Sequence, residues 1–134
     1  MKIYFLLFVM TFLLTACGED CYNAPQPVVF EFVNAAGENM ITQGTLGPFT
    51  ISDENQANLQ LTRTSDDRII LEKVGAFNGT KNYTFYSGIR TFTFSIQSSE
   101  FKGGCDGYQI NKLTFTGVGI DVTDEKGYYR IRLE

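Results

Sequence analysis

Three cysteines, seven tyrosines and fifteen carboxylates are the side chains here that could do chemistry, and no histidine stands beside them. Without an imidazole the Ser-His-Asp and Cys-His nucleophile systems are unavailable, and so are the usual zinc sites. The densest acidic run is Asp121, Asp124 and Glu125 near Gly127. A hard cation needs several oxygens converging from one loop. This run lacks the alternating Asp/Asn spacing of a calcium loop, as does Asp53-Glu54-Asn55, so both read as solvated turns. No metal and no cofactor is expected. Tyr86 and Tyr128 each fall on the face opposite their strand's apolar residues. They are candidate ligand-binding rings for a sugar or a protein partner, set against the plain fact that Tyr favours strands.

The cysteines follow a different logic. After Lys2, the run Ile3–Leu14 carries no charge. As a helix it would be roughly 18 Å long at 1.5 Å per residue, against a hydrocarbon core of about 30 Å. It matches the apolar part of a secretory signal peptide. Leu14-Thr15-Ala16-Cys17 then resembles a bacterial lipobox. That resemblance implies removal of residues 1–16 and lipidation of Cys17. Two acyl chains anchor stably where one is marginal. The alternatives are an ordinary signal peptide with a chance cysteine and an uncleaved membrane helix.

With Cys17 acylated, Cys21 and Cys105 remain. In an oxidising compartment an even pair reads as one disulfide, unless Cys21 sits in a mobile tether too far from Cys105 to bond. Glu19 and Asp20 resemble the acidic export signal of surface lipoproteins in Bacteroidota. The expected location is the outer membrane, lipid-anchored and surface-exposed, with a periplasm-facing position as the alternative. The formal net charge is −4, and losing Lys2 with the leader makes it more negative. Such a chain has no basic cluster for nucleic acid.

Residues 17–27 read as an acidic tether stiffened by Pro25 and Pro27. Residues 28–134 read as one domain. Its pattern is alternating: Phe30 and Phe32, Leu59 and Leu61, Phe92 with Phe94 and Ile96, Ile131 and Leu133. Ser65–Arg68 is a hairpin turn between Leu59–Thr64 and Ile69–Val74. Met40–Thr42 is a short edge strand, Gly75–Asn82 a loop, and Ser98–Gly107 the longest loop. In Tyr108–Thr116 the apolar phase slips between Ile110 and Leu113, which a β-bulge near Asn111-Lys112 would reconcile. The fold expected is all-β: a single antiparallel β-sandwich, Ig-like or transthyretin-like, of about eight strands.

Two stretches carry a family resemblance. Phe30-Glu31-Phe32-Val33-Asn34-Ala35-Ala36-Gly37-Glu38-Asn39-Met40-Ile41 is similar to the opening of small Bacteroidota lipoproteins, with Asn34 where Asp is usual. Cys105-Asp106-Gly107-Tyr108-Gln109-Ile110-Asn111-Lys112-Leu113-Thr114-Phe115 is similar to their cysteine-led penultimate region. Those are β-sandwich lipoproteins of unassigned function, so the resemblance implies the fold and no activity. The leading functional expectation is a membrane-anchored, non-catalytic module for adhesion, envelope assembly or ligand binding, with a protein or glycan partner. An inhibitor or immunity-like protein using the Ser98–Gly107 loop is the second. A small hydrolase using carboxylates is the third.

Overall fold

Alternation of large apolar and polar side chains gives each strand one wet face and one dry face, and the dry faces meet. The computed structural model describes residues 21–134. The leader, Cys17 and the Glu19-Asp20 pair therefore lie outside the described residues. Ten strands form: β1 (Tyr22–Asn23), β2 (Val28–Val33), β3 (Phe49–Asp53), β4 (Leu61–Arg63), β5 (Ile69–Leu71), β6 (Gly79–Ser87), β7 (Thr91–Gly103), β8 (Cys105–Thr116), β9 (Ile120–Asp124) and β10 (Tyr129–Leu133). They make two five-stranded sheets, ordered β1-β8-β7-β6-β3 and β4-β5-β2-β10-β9. The all-β sandwich is as read. Two ladders run parallel, however: β1 with β8, and β10 with β2.

The core lies between the sheets and is mostly aromatic. Phe30 and Phe32 of β2 meet the opposite sheet at Phe94 and Phe85, with ring centroids 5.1 and 4.8 Å apart. Phe30, Phe32 and Phe85 are fully buried. Edge-to-face and offset contacts of this kind add about 0.5–1.5 kcal/mol per pair beyond the area buried.

The hairpin joining β4 to β5 forms as expected, with Thr62 opposite Ile70. So does the bulge. Gln97 pairs with Lys112 and Ser98 with Ile110, leaving Asn111 as the extra residue. Other expectations change. Met40–Thr42 is a turn, because Asn39 Oδ1 accepts hydrogen bonds from the amides of Ile41 and Thr42 and closes the chain locally. Strand β6 starts at Gly79, which shortens the expected Gly75–Asn82 loop. Ser98–Gly107 is no loop: it is the distal arm of the β7–β8 hairpin, paired through to Gly103 and Cys105 and turning at Gly104, whose φ is +83°. From Glu100 to Asp106 both faces of this arm are largely exposed, and the buried Ser98 is polar, so no apolar alternation marks it as strand.

The described part of the expected tether is also docked. Cys21 is bonded to Cys105, with Cα atoms 5.1 Å apart, inside the range a disulfide spans. Asn23 Nδ2 donates to the Cys105 carbonyl at 2.8 Å. Gly107 explains why β1 can lie so close. A Cβ there would collide with the Asn23 carbonyl, so only glycine admits the strand.

Candidate functional site

The sheets part at one end, where β8, the segment 24–29 and the turn between β9 and β10 come together. They leave an open cleft of about 780 Å³, within the range of small-ligand sites. The Asn111 bulge sets its β8 wall. By absorbing one residue it brings Tyr108 and Ile110 onto the same face as Leu113 and Phe115, all four half-buried. Pro27 and Val28 face them, and the hairpin turn supplies Asp124, Lys126 and Tyr129. Gly75 closes on the β8 wall from outside, so near that an added Cβ would meet the Ile110 side chain at 2.7 Å.

Tyr129 packs on Phe115 at 5.5 Å and on Phe30 at 6.3 Å. Burial pushes its phenol above the ordinary tyrosine value, and the nearby Asp124 carboxylate adds to the effect. The group therefore remains a neutral hydroxyl through the physiological range. Asp124 Oδ1 accepts the Lys126 amide at 3.0 Å, which fixes the turn.

Tyr128 stands at the rim. Arg68 covers its ring, with the guanidinium carbon 3.6 Å from the centroid. Its hydroxyl accepts from Arg130 Nη2 at 3.1 Å. Arg130 Nε donates to Glu31 Oε2 at 2.8 Å, and Nη1 to Glu125 Oε1 at 3.2 Å. The Glu31 hydrogen bond holds the Arg130 guanidinium still more firmly protonated than usual. Tyr128 is thus committed on one face to an arginine, a contact of about 0.5–1 kcal/mol in partly wet surroundings. Its other contribution is to shape the cleft edge.

Tyr86 lies elsewhere. It is 60% exposed on β6, opposite Thr50 and Thr91, and takes no part in the cleft. The two tyrosines singled out from the sequence are therefore not brought together. The acidic run disperses as well: Asp121 pairs with Arg132 at 3.6 Å and Glu125 with Arg130. Among the described residues no group of three or more His, Cys, Asp or Glu side chains converges to hold a metal ion.

Tyr108 and Tyr129 are the residues the sequence reading missed as site members. Tyr108 shares parity with Ile110, which was legible. Its place opposite the β9–β10 turn depends on how the sheets stack, which was not. No family model, curated protein or solved structure matches this chain.

Proposed function

We propose that this chain is an outer-membrane lipoprotein, anchored through Cys17, whose sandwich is a non-catalytic module binding a small polar ligand in the β8/β9–β10 cleft. The observation that carries the reading is the composition of that cleft. It joins the rings of Tyr108 and Tyr129 to the polar residues Gln26 and Lys126. Rings beside amides suit a sugar, whose C–H face stacks while its hydroxyls are hydrogen-bonded. Asp124 is the only carboxylate among the described lining residues, whereas glycoside hydrolysis ordinarily uses two. That favours binding over a carboxylate-dependent hydrolase. The anchor rests on Leu14-Thr15-Ala16-Cys17, and the Cys21–Cys105 bond fits an exported, oxidising location. The inhibitor reading loses its free loop, because Ser98–Gly107 is strand.

Titration of a chain lacking residues 1–16 and carrying Cys17→Ser with a saccharide panel, followed by amide shifts, tests the site. Shifts should gather at Tyr108–Ile110 and the β9–β10 turn. Tyr108→Ala should weaken binding about tenfold, the ~1.4 kcal/mol of one ring contact. Shifts centred on Tyr86, or none for any saccharide, would contradict the reading.

A further inference from the structure

The end of the molecule where the chain enters carries a second, separate feature. β1 runs parallel to β8, away from the β7–β8 turn, so the described chain begins at the tip of that hairpin. The disulfide fixes Cys21 there. Around the tip is a shallow hollow of about 350 Å³ whose lining includes Tyr22, Glu100, Phe101, Lys102 and Asp106. Tyr22 is 57% exposed and Phe101 37%. The Phe101 ring lies over Gly103, where a Cβ would meet it at 2.9 Å. Glycine at that position is what allows the ring to lie flat along the strand.

We propose that this hairpin tip rests on the phospholipid surface itself, with Tyr22 and Phe101 seated among the headgroups. The inference relies on the acylation of Cys17 proposed above and adds an orientation to it. Only four residue steps separate Cys17 from Cys21, about 14 Å of fully extended chain at most. The headgroup region is roughly 5–8 Å deep on each side of the hydrocarbon. An acylated Cys17 therefore holds the bonded Cys21–Cys105 pair, and the hairpin tip beside it, close to the lipid boundary. Aromatic rings are the side chains that favour that boundary.

The charge of the tip selects the kind of lipid. Lys102 Nζ is 3.8 Å from Glu100 Oε2, and Asp106 stands nearby, so the patch is mixed rather than basic. Recognition of anionic lipid requires a cluster of Lys and Arg. A zwitterionic headgroup, carrying both signs, is the surface that matches this tip.

The protein contains no tryptophan, so one introduced indole reports alone. Acylated, mature Phe101→Trp protein, beginning at Cys17, would be reconstituted into phosphatidylethanolamine/phosphatidylcholine vesicles with brominated acyl chains. Tyr86→Trp serves as the distant control. Tyr86 pairs with Thr91, roughly 33 Å along β7 from Phe101. The Phe101→Trp emission should shift to the blue and fall by roughly a third or more against unbrominated vesicles, as expected for a ring at headgroup depth. Tyr86→Trp should not change. Tyr22→Trp, across the same hollow, gives a second reporter should Phe101→Trp disturb the hairpin. Protein that floats with the vesicles while both tip reporters stay unquenched would overturn the proposal and leave the anchor standing. Protein that does not float, and carries no acyl chains, would overturn both.

Discussion

Deleting residues 129–134 is expected to abolish the cooperative unfolding transition. β10 is a central strand, hydrogen-bonded to β2 on one side and β9 on the other. It places the buried Ile131 and Leu133 in the core and lays Tyr129 against Phe30 and Phe115. Truncating one buried Ile or Leu to Ala costs about 2–5 kcal/mol. Losing both, about 4–10 kcal/mol, together with two ladders is comparable to the 5–15 kcal/mol that holds a typical domain together. Removal also strips Arg130 from Glu31, a carboxylate whose side chain is only 13% exposed. Circular dichroism with heating should show no sharp transition. A truncated chain that melts cooperatively within a few degrees of the full one would show that β10 is not central to the fold.

The second large effect concerns the bond between Cys21 and Cys105, which closes a loop of sequence separation 84. Cross-linking over that span removes chain entropy from the unfolded state worth roughly 4–5 kcal/mol, an upper value. The Cys21→Ser/Cys105→Ser double variant should lose about 3–4 kcal/mol in denaturant unfolding. The loss has a local signature. Without the bond, β1 is held by its two-residue pairing and the Asn23 side chain. Amide exchange should therefore accelerate first at Tyr22–Asn23 and along the hairpin arm, before the core opens. An unchanged midpoint with unchanged exchange at these amides would remove the disulfide from any structural role.

What could be read in advance follows from where burial is one-sided. Phe92, Phe94 and Ile96 alternate because one face of β7 is dry, and the strand was legible. Glu100–Gly103 belongs to the same strand, but past the sandwich both its faces meet solvent. The alternation ends there while the hydrogen bonding continues. The Asn111 bulge was legible from the parity slip alone. The cleft was not, since it depends on which sheet end faces which, and no local pattern carries that. Tyr128 illustrates the limit: its parity marked it as facing outward, yet Arg68 and Arg130 claim it. Only the side-by-side pairing of β5, β2 and β10 in one sheet brings those three residues together.

Cys17 is the proposed point of attachment. Mass analysis of the N-terminal peptide from membrane-purified protein tests that most directly. A chain beginning at Cys17, with a diacylglycerol thioether on its sulfur, is the predicted result. A chain that retains residues 1–16, or begins at Cys17 with a free thiol, would contradict it.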